Sequence, residues 1–129
     1  MTDRPRLTLS TVVLDCPDAH ALGAFYRRLL GWEVERSEDD WIKIVPPAGG
    51  TGLSFQTEPY FVRPTWPSQP DEQQMMIHLD IKVDDLETAG AHALAAGAVL
   101  AEDQFADDVR VYFDPAGHPF CLWIETPMS

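Results

Sequence analysis

The sequence predicts an α+β fold built from two tandem βαβββ modules. In each half, an apolar run leads to an aspartate, an amphipathic stretch follows, and a glycine ends it before further apolar runs. The halves align at a nearly constant spacing: Asp18 with Asp85 (67 positions), Gly31 with Gly97 (66), and Pro47-Ala48-Gly49 with Pro115-Ala116-Gly117 (68). Such a spacing over the whole chain indicates an internal duplication of one supersecondary unit.

The first module begins with a β-branched and apolar strand around Val12–Leu14. Pro17 ends this strand, and Asp18 is placed to cap the following helix. One apolar helix face follows the three-and-four spacing, with Leu22, Phe25, Tyr26, Leu29 and Leu30. Gly31 ends the helix, and three short strands are predicted at "WEVER", "WIKIV" and "GLSFQ".

The second module repeats this order. Its first strand is predicted at "MIHLDIKV", and Asp84 or Asp85 caps a helix that runs through Ala96 and ends at Gly97. Three strands follow near "AVLAE", at "VRVYFD" and at "FCLWIE". A tight Pro-Ala-Gly turn joins the last two strands of each module.

A proline-rich connection links the modules. We predict one domain over 1–129, with module one at about 7–57, the connection at 58–74 and module two at about 75–126. Four prolines exclude a central strand or a helix from the connection. Its aromatic residues, Tyr60, Phe61 and Trp66, either form a lid over an open face or cover a sheet edge, and edge covering is the favoured interpretation.

Composition excludes several classes of function. A net charge of −12 argues against nucleic acid as a partner, because phosphates would be repelled. The acidic surface serves solubility or attracts cationic small molecules. The sequence contains neither an apolar run of the roughly 18 residues that a membrane helix needs nor a signal-peptide pattern. We therefore expect a cytoplasmic protein without a membrane partner, in which Cys16 and Cys121 are free buried thiols.

Three motifs carry a family resemblance: "LDCPDAHALGAFYRRLLGW", "HLDIKVDDLETA" and "DPAGHPFCLW". Together they resemble the vicinal oxygen chelate superfamily, which includes glyoxalase I, extradiol dioxygenases and bleomycin resistance proteins, and more narrowly its bacterial glyoxalase-like members. The resemblance implies a curved, half-open eight-stranded sheet around a cleft. It also implies a homodimer in which modules of two chains often build each cleft.

The resemblance also implies where metal ligands would lie. Metal-dependent members place one ligand on the first and one on the last strand of each module, and the corresponding residues here are Thr11, Ser54, His78 and Cys121. A hard cation such as Mg²⁺ prefers carboxylate oxygens, which this set lacks. Zinc would find only His78 and Cys121, short of its usual three or four ligands. Asp80 and Glu125 are neighbours that complete a site only in an arrangement unlike that of the family, so we expect no metal cofactor.

Strand alternation predicts which side chains face the cleft. In module two these are His78, Asp80 and Lys82 on the first strand, and Cys121, Trp123 and Glu125 on the last. From module one, Ser54 and Gln56 are expected to line the same cleft. Arg110 and Tyr112 are assigned to it because they alternate with apolar neighbours. Apolar walls with a few polar groups are typical of small-molecule sites.

The histidines and cysteines divide into active and structural candidates. His78 is the catalytic candidate, as a general base or hydrogen-bond partner, and the alternative is an inherited structural histidine. Asp80 lies beside His78 on the same strand face, so it can orient the imidazole only if the strand curves within the pocket. Cys121 is predicted to be an inert thiol, and His118 an exposed, structural turn residue. His20 and His92 are expected on solvent-facing positions of the helices.

Three classes of function follow from these observations. The favoured one is a homodimeric, metal-free protein that sequesters a cationic or aromatic compound, in the manner of bleomycin resistance proteins. The alternative is a lyase, isomerase or dioxygenase that uses His78, with or without a divalent metal. A structural or regulatory domain is the third class, and it predicts a cleft filled by side chains.

Overall fold

The computed structural model describes residues 4–125, and it divides them into two modules with the same order of elements. Module one contains β1 (Thr11–Cys16), α1 (Ala19–Leu30), β2 (Glu33–Glu38), β3 (Trp41–Val45) and β4 (Gly52–Thr57). Module two contains β5 (Leu79–Lys82), α2 (Leu86–Ala96), β6 (Val99–Leu100), β7 (Val109–Phe113) and β8 (Pro119–Trp123). The predicted α+β fold of two tandem βαβββ modules is confirmed. Its eight strands form two open four-stranded sheets, in the orders β1-β4-β3-β2 and β5-β8-β7-β6.

Both helices begin and end as their sequence signals predict. The Asp18 side chain accepts hydrogen bonds from the backbone N–H groups of His20 and Ala21, and Gly31 ends α1 with a left-handed φ of 72°. In module two the cap is Asp85 rather than Asp84, because its carboxylate accepts from the Thr88 N–H at 2.9 Å. Hydrogen bonds from the Thr88 hydroxyl and from the Thr88 N–H lower the pKa of the Asp85 carboxyl.

The strand pairing decides which side chains share a face. In each module the first and last strands pair in parallel, and the remaining pairs are antiparallel. Directly opposite residues lie on the same side of a sheet. In the β7–β8 hairpin, Val111 pairs with Cys121 and Tyr112 pairs with Phe120. Consequently, Val111 and Cys121 face one side of the sheet and Tyr112 faces the other.

One hydrophobic core joins the modules. Phe25 and Tyr26 of α1 are fully buried, and the Tyr26 ring stacks on Phe55 of its own module at 5.3 Å between centroids. The Phe25 ring lies 5.9 Å from that of Phe120 in β8. Burying each large aromatic side chain stabilises the fold by about 1.5–3 kcal/mol. The helix of module one therefore holds module two in place.

The main differences from the predicted elements are in strand length. The strand predicted at "MIHLDIKV" is limited to Leu79–Lys82, and that near "AVLAE" to Val99–Leu100. The predicted end of module two at residue 126 lies outside the described residues. Within the described part of the chain, neither helix is long and apolar enough to cross a membrane.

Candidate functional site

A cavity of about 310 Å³ lies on the concave face of the module-two sheet. Its walls are largely aromatic or aliphatic, and a small polar group interrupts them at one place. The lining residues come from the connection, the segment before β5, the strands β5, β7 and β8, and the loop after β6: Trp66, Met75, His78, Asp80, Phe105, Val109, Val111, Pro119, Cys121 and Trp123. We call this space the module-two cavity.

The register of β5 and β8 assembles the polar group. Asp80 and Cys121 are directly opposite each other on the two parallel strands, and Lys82 is opposite Trp123. His78 lies two positions before Asp80, on the same face. The structure thus brings together four residues singled out from the sequence, His78, Asp80, Cys121 and Trp123. Their role in binding stays a prediction.

Three of these side chains contact one another. His78 Nε2 lies 3.2 Å from Asp80 Oδ1, so the pocket curls enough for Asp80 to orient the imidazole. Burial raises the pKa of the Cys121 thiol to about 11, and the nearby Asp80 charge and a hydrogen bond to Asp80 act in the same direction. A thiol that stays protonated at neutral pH is a poor nucleophile. This agrees with the prediction of an inert Cys121.

Trp66 covers the module-two cavity. Its indole N–H donates to the Asp103 carbonyl oxygen at 3.3 Å, and its ring meets Phe105 at 6.5 Å between centroids. The preferred assignment of the connection aromatics to a sheet edge is therefore wrong for Trp66, which serves as part of a lid. Phe61 packs on the core, whereas Tyr60 is 88% exposed.

The prediction that Arg110 and Tyr112 face the cleft is wrong. Tyr112 is buried on the helix side, where its ring stacks on Phe120 at 5.8 Å. A Cβ at Gly90 of α2 would clash with the Tyr112 hydroxyl, which shows how closely the helix approaches the strand. Arg110 lies beside Tyr112 on the same side, next to α2. The prediction assumed that the polar side of β7 faces the cleft, but both faces of this strand are covered.

Four further predicted site residues lie outside the module-two cavity. Thr11 and Ser54 share the concave face of module one, and their hydroxyls form a hydrogen bond of 2.7 Å. Gln56 is exposed in a shallow depression of the same module, near Trp41. Glu125 is exposed and pairs with Lys82 at 3.1 Å. The prediction that Ser54 and Gln56 line one cleft with module two is wrong within a single chain.

His118 is not an exposed turn residue, as was predicted. It is 8% exposed, and its ring nitrogens lie 2.8 Å from Asp114 Oδ2 and 2.9 Å from the Asp15 carbonyl oxygen. Asp114 also accepts from the Tyr26 hydroxyl at 2.8 Å. The structural role assigned to His118 agrees with these contacts, which cross from module two to module one. His20 and His92 lie on exposed helix positions.

Several lining residues were missed by the sequence analysis. Val109 and Val111 were considered only as apolar neighbours of Arg110 and Tyr112, although the hairpin register pairs Val111 with Cys121 and thus gives both the same face. Trp66 was named as a candidate for a lid, but covering of a sheet edge was the favoured interpretation. Met75 and Phe105 lie in irregular segments, where no periodicity assigns a face.

A family model described as a glyoxalase-like domain matches residues 11–123. The chain belongs to the glyoxalase-like family. A glyoxalase/bleomycin resistance protein/dioxygenase family enzyme from Burkholderia phytofirmans PsJN has a similar fold (TM-score 0.68, 18% identity, 92% of this chain and 98% of that chain covered). No curated protein matches the sequence.

Two further solved structures share the fold and differ in what their names describe. One is an antibiotic binding protein from Streptomyces sp. CB03234 (TM-score 0.64, 14% identity, 96% of this chain and 100% of that chain covered). The other is a lactoylglutathione lyase from Agrobacterium tumefaciens (TM-score 0.61, 16% identity, 94% and 96% covered). At these identities the likeness shows the glyoxalase-like fold alone.

The four positions where metal-using relatives carry ligands do not fit a hard divalent cation. Thr11 and Ser54 offer neutral hydroxyls that are already hydrogen-bonded to each other, and Cys121 offers a sulfur. Mg²⁺ and Mn²⁺ favour carboxylates and other oxygen donors. The family positions of this glyoxalase-like chain therefore do not form a site for such a cation.

Proposed function

We propose that this glyoxalase-like protein binds a small aromatic cation in the module-two cavity. The observation that supports it is a cavity walled by Trp66, Phe105 and Trp123, with one carboxylate, that of Asp80, inside it. Aromatic faces attract cations through the ring quadrupole and also stack on flat aromatic molecules. A volume of about 310 Å³ fits a compound of a few fused rings.

The charges around the cavity favour a cationic ligand. Asp80 is the sole carboxylate among the described residues that line it, and its side chain is 60% exposed. The nearest strand cation, Lys82, is held by Glu125 and by the face of Trp123, 5.7 Å from the ring centroid. A net charge of −12 raises the local concentration of cations at the surface.

The protein as proposed holds no resident hard cation, because the family positions described above supply no carboxylate.

We also propose that the protein forms a homodimer. On the concave face of module one, Val13 is 43% exposed, although its register partner Ser54 is fully buried. A second copy would shield this exposed apolar residue.

Calorimetric titration with two matched probes tests the binding proposal. The probes are 9-aminoacridine, a planar cation, and acridine-9-carboxylate, an anion with the same rings. We expect the cation to bind at least tenfold more tightly, a difference of about 1.4 kcal/mol. Asp80→Asn should remove this preference, whereas Asp39→Asn, an exposed carboxylate of module one, should keep it.

A second pair of variants tests the aromatic wall. Trp123→Leu should weaken 9-aminoacridine binding at least tenfold, because a base-sized ring stacked on an aromatic face contributes about 1–3 kcal/mol. Trp41→Leu, in module one, should leave the affinity unchanged within twofold. Equal losses in the two variants would show that the module-two cavity is not the binding site.

An enzyme is the second candidate function, and the contact between His78 and Asp80 favours it. An imidazole held by a carboxylate at 3.2 Å is a typical general base. Mass spectrometry of ligands recovered after incubation with the protein distinguishes the two functions. Sequestration returns the ligand unchanged, whereas a lyase or isomerase returns an altered compound, and His78→Ala then abolishes the change.

A further inference from the structure

Three side chains with different donor atoms converge at the polar side of the module-two cavity. A ring nitrogen of His78, a carboxylate oxygen of Asp80 and the sulfur of Cys121 all lie within 4.8 Å of one another. His78 Nε2 and Asp80 Oδ1 are already 3.2 Å apart. Imidazole, carboxylate and thiolate are the three ligand types that zinc uses in proteins.

We propose that His78, Asp80 and Cys121 bind a zinc ion. Donors held at about 2.0–2.3 Å from a tetrahedral zinc are about 3.5 Å from each other. The contact between His78 and Asp80 meets this spacing, and the sulfur, within 4.8 Å of both donors, needs only a small movement to join them. Rotation of exposed side chains supplies such a shift, since His78 and Asp80 are 40% and 60% exposed.

The strand pairing explains why the three donors meet. Asp80 and Cys121 are register partners on the parallel strands β5 and β8, and His78 precedes Asp80 by two positions on the same face. All three donors thus come from module two. His78 and Cys121 are two of the four family positions, whereas Asp80 is not among them and takes the place of the module-one positions Thr11 and Ser54.

The number of protein ligands indicates whether the zinc site is of the structural or the catalytic type. Three protein ligands leave the fourth tetrahedral position of zinc directed to the cavity, as in catalytic rather than structural zinc sites. A sulfur donor selects zinc and other thiophilic cations over Mg²⁺ or Ca²⁺. A bound zinc ion would neutralise Asp80, so zinc and an organic cation would compete for this carboxylate.

Cobalt absorption spectroscopy tests the zinc site with the metal alone, and its result does not depend on organic ligand binding. The full chain is stripped with a chelator and titrated with Co²⁺, which gives a thiolate-to-metal charge-transfer band when a cysteine coordinates it. We expect this band to saturate at one equivalent and to disappear when Zn²⁺ is added.

The two cysteines provide a matched control. Cys121→Ser should remove the charge-transfer band and weaken Zn²⁺ binding at least 100-fold, whereas Cys16→Ser, in the core, should retain both. His78→Ala changes an exposed residue and should therefore leave the fold intact. It should weaken Zn²⁺ binding at least tenfold. The proposal is overturned if the wild type gives no band, if the band survives Cys121→Ser, or if His78→Ala binds Zn²⁺ as the wild type does.

Discussion

The two modules share an order of elements but differ in where their large side chains lie. Tyr26 of α1 is replaced by Ala93 in α2, at the repeat spacing of 67. Both are fully buried, so α1 fills its interface with rings and α2 with methyl groups. On the concave faces the larger side chains belong to module two and the smaller ones to module one. Thr11 and Ser54 of module one bond to each other, whereas Cys121 and its neighbours in module two border a cavity.

This difference suggests a division of roles between stability and binding. Module one supplies the aromatic core that fixes both sheets, and it has small hydroxyls where relatives have ligands. Module two rests on that core through Phe120 and keeps its concave face open beneath Trp66. A rigid support with an open pocket beside it is what a preorganised binding site requires.

The largest expected effect is on the core of module one. Phe25→Ala should lower the free energy of unfolding by about 3–5 kcal/mol, because it removes a fully buried ring that contacts both modules. Leu94→Ala in α2 should cost less than about 0.5 kcal/mol, since Leu94 is 50% exposed. Urea unfolding measures both. Similar losses would contradict the central place of the Phe25 ring in the core.

The next effect concerns the contact between modules at Asp114. Asp114→Ala should destabilise the protein by about 3 kcal/mol, because it leaves the buried Tyr26 hydroxyl and His118 ring without their acceptor. In module one the aligned position is Pro46, which has no such role. Asp107→Ala, on the surface of the same module, is the control and should change stability by less than about 0.5 kcal/mol.

A smaller effect should follow from alkaline pH. Burial raises the pKa of the Cys16 thiol from 9.0 to about 11 in the folded protein. The folded state therefore holds this proton more tightly than the unfolded state, and its contribution to stability is complete below pH 9 and is lost as the pH rises to about 11. Urea unfolding across this range should show falling stability, and Cys16→Ala should show a smaller fall. An equal fall in the variant would assign the effect to other groups.

The smallest effect is expected at the rim of module two. Glu125→Gln breaks an ion pair with Lys82 in which both side chains are more than half exposed. Such pairs contribute about 0–1 kcal/mol, so stability should hardly change. The affinity for 9-aminoacridine should also stay within twofold, because Glu125 lies outside the module-two cavity. A tenfold loss of affinity would show that Glu125 contributes to ligand binding, as the sequence predicted.

Local signals predicted most of the fold. Asp18 and Gly31 cap α1 as expected, and the aligned Asp85 and Gly97 cap α2. Alternation placed Asp80 on the concave face because β5 has one polar and one apolar side. These elements follow from periodicity and capping, which depend on neighbours along the chain.

The remaining errors arose where both faces of a strand are covered. In β7 alternation separated Val111 from Tyr112 correctly, but hydrophobicity alone could not show which of them faces the cavity. His118 was misplaced because its partners include Asp15, 103 positions away. The contribution of Trp66 depends on the path of an irregular segment, which no local pattern determines.

The indole N–H signals of the four tryptophans test the division of roles most directly. Trp32 and Trp41 lie in module one, Trp66 in the connection and Trp123 in module two. In a ¹⁵N-correlated NMR titration with 9-aminoacridine, we expect the signals of Trp66 and Trp123 to shift together while those of Trp32 and Trp41 stay in place. A shift confined to Trp41, or equal shifts of all four signals, would contradict it.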